Sequence, residues 1–159
     1  MDTSSSLNFK VVDNFLSNED FQRIQNTILS NKFIWFYSDC VSKPNDGNFQ
    51  FSSMLTWDKN DKFVNLFEEK IKIEKVIRAK INQNHRTKKL VIHEPHVDQH
   101  FDSKAMILYI NTNNGYTYFG DNKVYSEANR AVFFDANIPH GGTTCTDQKR
   151  RVVFNLNYI

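Results

Sequence analysis

The sequence predicts a mainly β fold, a double-stranded β-helix (jelly roll), with N-terminal helices packed on one of its sheets. Two observations lead to this fold class. Two segments in the first half of the chain show apolar residues at helical spacing, whereas from Val76 onward the chain consists of short β-branched or aromatic runs. Asn-Gly, Gly-Asp and Gly-Gly pairs punctuate these runs as turns do. Helices followed by many short strands are typical of a jelly roll whose helices cover one sheet.

The first half of the chain is predicted to hold both helices. Ser17 precedes acidic residues and is therefore the expected N-cap of a first helix that runs to about Ser30. The second helix covers residues 62–73, with an apolar face toward the core. The aromatic run at 33–37 and the turn at 44–47 are candidates for a lid or a substrate wall, and the alternative is that the aromatic residues belong to the core. The predicted strands of this half are residues 9–12, 33–37 and 49–57.

The second half is predicted to be made of strands. No internal repeat, linker or low-complexity segment interrupts it, so residues 1–159 are expected to form a single domain, with residues 1–7 as a disordered polar tail. The Gly141-Gly142 pair is interpreted as a turn that lets backbone approach closely. The predicted strands are residues 76–82, 90–96, 105–111, 115–119, 131–135 and 151–158.

Composition narrows the function classes. The formal charge is +2 and the basic clusters are short, which argues against a nucleic-acid partner. Cys40 and Cys145 lie far apart and are expected to be free thiols in a reducing compartment. The N-terminus lacks the features of a signal peptide, and no apolar run is long enough for a membrane span. The expectation is a soluble, cytoplasmic protein without a membrane partner.

The informative stretch is residues 93–102, which contains two overlapping His-x-Asp pairs, His96 with Asp98 and His100 with Asp102. Side chains alternate faces along a strand, so the two groups of such a pair point to the same side and can reach one metal ion. We prefer the first pair, because it leaves a loop over residues 99–103 before the next strand. The second pair would leave only Ser103 as a connection.

A third ligand is available in His140, which follows Pro139 and precedes the two glycines. Two imidazoles and one carboxylate on one face of an octahedron leave three positions open, which is the arrangement of non-haem Fe(II) oxygenases. His-x-Asp alone is a weak signal, and a lone histidine is more often an ordinary surface or hydrogen-bonded residue. The metal hypothesis therefore depends on the residues that come after His140 in the chain.

Arg150 and Arg151 come after it, at the start of the last predicted strand. An arginine forms a bidentate pair with a carboxylate, and the far carboxylate of 2-oxoglutarate needs such a cation. If Arg151 faces the interior, Asn155 and Asn157 face it as well, and the apolar residues of the strand pack under the helices. If Arg150 does, the asparagine amides meet the helices without partners. We favour Arg151 and keep Arg150 as the alternative.

The order His-x-Asp, about forty residues, His, about ten residues, Arg resembles the 2-oxoglutarate/Fe(II)-dependent dioxygenase superfamily. The similarity is greatest to the prolyl-4-hydroxylase-like branch, especially to small stand-alone enzymes found in cyanophage genomes. It runs from about Phe33 to Tyr158. The segments that carry it are residues 78–82, 96–98, 108–116, 129–135 and 139–144.

This resemblance implies that His96, Asp98 and His140 are the catalytic iron ligands, with Fe(II) as the metal and 2-oxoglutarate and O2 as co-substrates. Without the resemblance, Tyr109 would be interpreted as a core aromatic residue. One departure concerns the substrate side: related enzymes often carry Gly-Gly where this chain has Asn114 and Gly115. The co-substrate-binding residues that the resemblance implies are Arg151, Tyr109, Asn82 and Asn155.

The expected function is hydroxylation of a C–H bond in a peptidyl or free, proline-like amino acid. The primary substrate is thus a peptide or a small molecule, while the oligomeric state is not predicted. Two other classes stay open. One is a cupin-like metal protein without 2-oxoglutarate chemistry, and the other is a non-catalytic jelly-roll binding module. Binding of 2-oxoglutarate that requires Arg151 would exclude the first, and turnover would exclude the second.

Overall fold

A computed structural model describes residues 8–159 of the chain, so the predicted tail at residues 1–7 lies outside the described residues. The described part contains two α-helices and two antiparallel sheets. The elements in chain order are β1 (Phe9–Val12), α1 (Asn18–Ile28), β2 (Phe36–Ser38), β3 (Gln50–Met54), α2 (Lys62–Glu68), β4 (Val76–His85), β5 (Lys104–Tyr109), β6 (Tyr116–Phe119), β7 (Asn122–Tyr125), β8 (Ala131–Asp135), β9 (Gly141–Gly142) and β10 (Arg150–Tyr158).

The larger sheet has seven strands in the order β1-β8-β5-β10-β4-β3-β2, and the smaller sheet has the order β7-β6-β9. The last strand, β10, lies between β4 and β5 and pairs with both of them antiparallel. Strands distant in sequence thus become neighbours at the centre of the larger sheet. This mainly β, antiparallel architecture is consistent with the jelly roll that the sequence predicts.

The larger sheet is covered by apolar residues on both faces. One buried cluster joins its strands to the helices: Ile81 and Phe154 pack with Phe21 of α1 and Phe67 of α2. The other cluster joins its opposite face to the smaller sheet. Its main members are Ala105, Ile107, Tyr109, Phe119, Val124, Val132, Phe134 and Val153.

The helices begin where the sequence predicts. Ser17 is the N-cap of α1, and its Oγ accepts a hydrogen bond of 3.2 Å from the backbone N–H of Asp20. Helix α2 ends at Glu68, earlier than predicted, because the backbone tightens there: the N–H of Lys70 bonds to the carbonyl of Phe67 at 3.0 Å. No described helix has the length and apolarity that spanning a bilayer requires.

The strand prediction for residues 90–96 is wrong. This segment makes only isolated bridges, pairing Ile92 with Thr143 and His96 with His140. Pro95 has no N–H to donate and interrupts a continuous ladder there. The structure also contains β7, which we did not predict, and it places Gly141 and Gly142 in strand β9 rather than in a turn.

The aromatic run at 33–37 divides between two roles. Phe33 and Trp35 pack against the core, whereas Phe36 and Tyr37 are exposed, with only β2 forming a strand. Phe36 and Tyr37 therefore belong to the surface at the outer edge of the larger sheet, because β2 is its last strand. The two cysteines are free thiols, as expected.

Candidate metal centre

Three side chains from distant parts of the chain converge on one point: His96, Asp98 and His140. Their nearest ligand atoms all lie within 4.8 Å of one another. The Oδ1 atom of Asp98 is 3.5 Å from Nε2 of His96 and 3.9 Å from Nε2 of His140. The two histidines meet because their backbones exchange hydrogen bonds of 2.8 and 2.9 Å, N–H to carbonyl in both directions.

The protonation of these groups fits a divalent metal. Nδ1 of His140 is 3.0 Å from the carbonyl of Ile138, which can only accept, so Nδ1 carries the proton. The lone pair is then on Nε2, which lies 3.9 Å from Oδ1 of Asp98. Burial lowers the pKa of His140, which keeps its imidazole neutral and able to bind a metal. Two neutral imidazoles and one carboxylate are the donor set of non-haem Fe(II) sites.

The carboxylate of Asp98 is held from two sides. Burial alone would raise its pKa, but the contact with His96, the charge of Arg78 and the hydrogen bond from Asn157 hold the pKa well below its usual range. Nη2 of Arg78 donates to Oδ1 and Nδ2 of Asn157 donates to Oδ2, both at 2.9 Å. Sequence reasoning missed this function of Arg78 and Asn157, because nothing local marks residues that are joined only by strand pairing.

The alternative pair, His100 and Asp102, lies elsewhere. Both residues are exposed, and neither belongs to the described cluster of possible ligands. The chain leaves the cluster directly after Asp98, whose N–H bonds to the carbonyl of Ala136 at 3.0 Å. The structure therefore brings together the pair that the loop length favoured.

The cluster lies in a polar cavity of about 100 Å³. Its floor is formed by β4 and β10, because alternate residues of each strand point to this face. Directly paired residues of the two strands share the face, as Asn84 does with Arg151 and Lys80 does with Asn155. The floor residues are Arg78, Lys80, Asn82, Asn84, Arg151, Val153 and Asn155.

Arg151 is a buried cation in this cavity, with 3% of its surface exposed. Its Nε donates to Oγ of Ser126 at 2.9 Å and its Nη2 donates to Oγ1 of Thr117 at 3.1 Å. Both partners are neutral, and no carboxylate within residues 8–159 forms a salt bridge with Arg151. Buried charges are normally paired, so this guanidinium is poised for an anion from outside the chain.

Arg150 points to the other side of the sheet. Its guanidinium donates to Oε1 of Gln83 at 2.8 Å and to the carbonyl of Leu29 at 2.7 Å, next to helix α1. The alternation along β10 is the one expected for an inward Arg151: Val153 and Asn155 line the cavity, and Asn157 bonds to the metal-site carboxylate. The apolar residues of β10 that join the helix-side core are Val152, Phe154, Leu156 and Tyr158.

The other predicted co-substrate residues occupy different positions. Asn82 and Asn155 line the cavity. Tyr109 is fully buried beneath Arg151, with its ring 5.6 Å from the guanidinium carbon, and its hydroxyl donates to the carbonyl of Val124 at 3.0 Å. Direct contact of the Tyr109 hydroxyl with 2-oxoglutarate thus stays a prediction, whereas its packing under Arg151 is a feature of the structure.

Two buried polar atoms that line the cavity have no hydrogen-bond partner among the described residues. Among the described residues, Oδ1 of Asn82 and Nδ2 of Asn84 are buried and form no hydrogen bond. Buried polar groups are nearly always satisfied, so these two amides favour a polar ligand in the cavity. His93, also in the lining, stays neutral because burial and the charge of Arg151 lower its pKa to about 4.

Glycines allow the walls of the cavity to approach closely. A Cβ atom on Gly141 would lie 2.5 Å from the ring of Tyr118, whose hydroxyl donates to the carbonyl of His93 at 2.6 Å. A Cβ atom on Gly142 would lie 3.4 Å from Nη1 of Arg151. The close approach expected for this glycine pair is therefore present, although within a strand.

A loop covers one side of the cavity. Ser42 lines the cavity and its Oγ donates to the carbonyl of Glu94 at 2.8 Å, two residues before His96. Asp46 orders this loop by accepting hydrogen bonds from four backbone N–H groups, at Val41, Ser42, Lys43 and Asn48. Burial alone would raise the pKa of Asp46, but these bonds lower it to about 2.

No protein-family model matches the sequence, and no curated protein matches it either. Solved structures do match. A viral collagen prolyl hydroxylase from Paramecium bursaria Chlorella virus-1, in complex with 2-oxoglutarate, has a TM-score of 0.64 at 11% identity. The match covers 99% of this chain and 100% of the viral one.

A prolyl hydroxylase from Trichoplax adhaerens, in complex with a hypoxia-inducible factor peptide, has a TM-score of 0.67 at 11% identity, over 96% of this chain and 83% of that one. The α-ketoglutarate-dependent epimerase SnoN of nogalamycin biosynthesis has a TM-score of 0.66 at 9% identity, over 96% of this chain and 77% of that one. One fold thus carries several reactions. The chain has the fold of the 2-oxoglutarate/Fe(II) oxygenases, prolyl hydroxylases among them.

Proposed function

We propose that this protein is an Fe(II)/2-oxoglutarate-dependent dioxygenase that hydroxylates a C–H bond of a peptidyl or free amino acid. One observation carries the proposal: the buried Arg151, which has only neutral partners among the described residues, lies in the same cavity as His96, Asp98 and His140. A metal site alone is compatible with many proteins. A metal site beside a buried cation that has only neutral partners among the described residues favours a metal-chelating acid such as 2-oxoglutarate.

Each group of the cavity has one function in this proposal. His96, Asp98 and His140 hold Fe(II) and leave one side of its coordination sphere open. Arg151 binds the far carboxylate of 2-oxoglutarate, with Asn82 and Asn155 beside it. When bound, Fe(II), 2-oxoglutarate and O2 supply oxidative decarboxylation to succinate and CO2 together with insertion of one oxygen atom into a C–H bond. The protein supplies the metal ligands, a cation for the co-substrate and a polar cavity that holds both.

A prolyl-hydroxylase-like substrate is supported by the matched structures. Two of them are prolyl hydroxylases, one of which was solved with a peptide. The epimerase with the same fold shows why the reaction itself needs a test of its own, because fold does not determine which bond is changed. We also propose that residues 1–159 act as one oxygenase domain.

The test is anaerobic addition of Fe(II) and 2-oxoglutarate to the metal-free protein, followed by visible spectroscopy. A weak charge-transfer band is expected on formation of the ternary complex, and it should be absent in His96→Ala and His140→Ala. Arg151→Met should weaken 2-oxoglutarate binding about tenfold to a hundredfold, because a charged hydrogen-bond partner is lost. Arg150→Met is the matched control, since Arg150 lies on the opposite face and should leave binding unchanged.

Two results would count against the proposal. If iron binds but no band forms, the 2-oxoglutarate assignment fails, and a cupin-like metal protein becomes the better interpretation. If the band forms but no succinate appears with O2 under any substrate tested, a non-catalytic binding module becomes the better interpretation. Equal losses of 2-oxoglutarate affinity in Arg150→Met and Arg151→Met would show that the loss does not come from removing a cation that faces the cavity.

A further inference from the structure

Lys80 is a half-buried cation in the cavity that the proposed chemistry leaves unused. It lies on β4 between Ala79 and Ile81, which are both buried in the core on the opposite face. Its side chain therefore points into the cavity. No residue in the range 8–159 forms a salt bridge with it, and Asp98, the nearby carboxylate, is already bonded to Arg78.

The surroundings of Lys80 disfavour the charged form of its side chain. Burial and the neighbouring charge of Arg78 both lower the pKa of Lys80. An unpaired cation in such a place is usually stabilised by an anion when the site is in use. Arg151 has 2-oxoglutarate as its proposed anion, and Lys80 is available for a second one.

The charge balance of the cavity indicates which molecule could supply this second anion. Its lining contains three cations, Arg78, Lys80 and Arg151, and one carboxylate, Asp98, while His93 is neutral. On the proposed function, on which this inference rests, Fe(II) and the dianion of 2-oxoglutarate cancel each other's charge. The positive excess of the lining then remains, and it favours a primary substrate that is itself an anion.

Strand register separates Lys80 from the co-substrate anchor. Arg151 is paired with Asn84, whereas Asn155 is paired with Lys80, which lies four residues before Asn84 on β4. At about 3.3 Å per residue, the two rows lie about 13 Å apart along the strand. Arg78 is only two residues, or about 7 Å, from Lys80. Lys80 and Arg151 are thus placed to bind different anionic groups, and Lys80 lies toward the metal end of the cavity.

The neighbouring surface suggests what the anion carries. Met54 on β3 is paired with Lys80 and so shares its face, and its side chain is 61% exposed. Phe36 on β2 is paired with Ser52, which is paired with Asn82, so Phe36 faces the same way and is 65% exposed. Two exposed apolar side chains therefore lie on the same face of the sheet as Lys80, Met54 directly beside it and Phe36 on the outermost strand.

We propose that the primary substrate is a carboxylate that bears an apolar side group, and that Lys80 binds this carboxylate while Met54 and Phe36 contact the apolar part. This assignment distinguishes between a free and a peptidyl amino acid as the substrate. A free amino acid or a C-terminal residue has the required carboxylate, whereas an internal peptide residue does not.

The test compares acids with their amides on the anaerobic complex of protein, Fe(II) and 2-oxoglutarate. The probes are N-acetyl-L-leucine and N-acetyl-L-proline, each against its carboxamide, with binding measured by calorimetry. The wild-type complex should bind the acids about tenfold or more tightly than the amides, as for a charged hydrogen bond lost. Lys80→Met should abolish this preference, Lys80→Arg should retain it, and the exposed-lysine variant Lys59→Met should behave as wild type.

The co-substrate is measured in the same variants. Titration of 2-oxoglutarate into Lys80→Met should give a Kd within about twofold of wild type, because the inference assigns Lys80 to the primary substrate. A twofold change in Kd corresponds to less than about 0.5 kcal/mol. A tenfold weaker Kd would assign Lys80 to 2-oxoglutarate and overturn the inference. So would an acid preference that persists in Lys80→Met, or acids and amides that bind equally or not at all at millimolar concentration. Failure of the wild type to bind Fe(II) and 2-oxoglutarate would instead overturn the proposed function.

Discussion

The carboxylate of Asp98 belongs to a closed ring of side chains. Arg78 bonds to one of its oxygens and Asn157 to the other, while Nε of Arg78 donates to Oδ1 of Asn157 at 3.1 Å. Asn157 is fully buried, and the side chain of Asp98 is 6% exposed. The ring keeps Oδ1 facing the two histidines. Arg78 and Asn157 are thus positioning residues for the proposed metal ligand.

We expect Arg78→Met to weaken metal binding about tenfold to a hundredfold, the usual cost of removing a group that orients a ligand. The loss of a positive charge beside the metal would by itself strengthen metal binding, because it removes repulsion between two cations. Orientation should dominate, because the substitution leaves buried polar atoms of Asp98 and Asn157 without partners. The measurement is titration of Co(II) into the metal-free protein, which does not depend on turnover.

Arg78→Lys should restore only part of the affinity, since an ammonium group cannot bridge Asp98 and Asn157 as the planar guanidinium does. Arg23→Met, in an exposed arginine on α1, is the control and should bind Co(II) as wild type does. Tighter binding in Arg78→Met would mean that the arginine competes with the metal, and would contradict the positioning role.

At the scale of elements, strand β10 serves the core and the cavity at once. Val152 and Phe154 pack under the helices, whereas Arg151 and Asn155 face the cavity. A slip of one residue would exchange the two faces, because side chains alternate with a period of two. Pairing with β4 on one side and β5 on the other prevents such a slip. The register of the strand therefore determines which of the two arginines faces the cavity.

Gly115, the residue before β6, also constrains the position of the Arg151 side chain. A Cβ atom there would lie 2.6 Å from Cδ of Arg151 and 2.6 Å from the carbonyl oxygen of Thr144. Because one of the two contacts is backbone, Gly115→Ala should lower the free energy of unfolding by about 1–3 kcal/mol through overpacking. It should also weaken 2-oxoglutarate binding by displacing Arg151. Urea denaturation and 2-oxoglutarate titration measure the two effects.

Gly142→Ala is the matched control, because its only close contact would be 3.4 Å from Nη1 of Arg151, at the flexible end of that side chain. It should lose less stability than Gly115→Ala. If Gly115→Ala were as stable as wild type and bound 2-oxoglutarate equally well, the tight packing around Arg151 would not constrain the anchor.

At the scale of the whole molecule, folding buries histidines in neutral form. His93 is 3% exposed, and burial together with the charge of Arg151 lowers its pKa from 6.5 to about 4. The unfolded chain therefore binds more protons than the folded one between pH 6.5 and pH 4. The stability contribution of neutral His93 is complete above pH 6.5 and is lost as the pH falls through about 4. Its full size is about 3 kcal/mol.

We predict that the metal-free protein loses stability steadily as the pH falls over this range. His93→Gln removes one of the titrating groups and should reduce the dependence of the unfolding free energy on pH. The measurement is urea denaturation at several pH values between 7 and 4. His100→Gln, in an exposed histidine, should keep the wild-type dependence. An unchanged slope in His93→Gln would mean that this imidazole does not titrate on unfolding.

Much of this architecture was predictable where the signals are local. The N-cap at Ser17, the strands β1 and β8 and the alternation of β10 follow from neighbouring residues, and all of them are present. The segment at 90–96 was predicted wrongly because its apolar residues indicate a strand, while Pro95 and the lack of a continuous partner prevent one. Local sequence patterns do not show which other segment a strand will pair with.

The two helices and the mainly β character were predictable from the sequence, because capping and alternation are short-range effects. The order of histidine, aspartate and arginine along the chain predicted His96, Asp98, His140 and an arginine in the last strand. Three features depend on the folded structure: Arg151 lacks a carboxylate partner within residues 8–159, Arg78 and Asn157 hold Asp98, and Lys80 faces the same cavity. These facts depend on which strands pair and in what register. Strand pairing joins residues as distant in sequence as Phe9 and Phe134, and no local pattern records it.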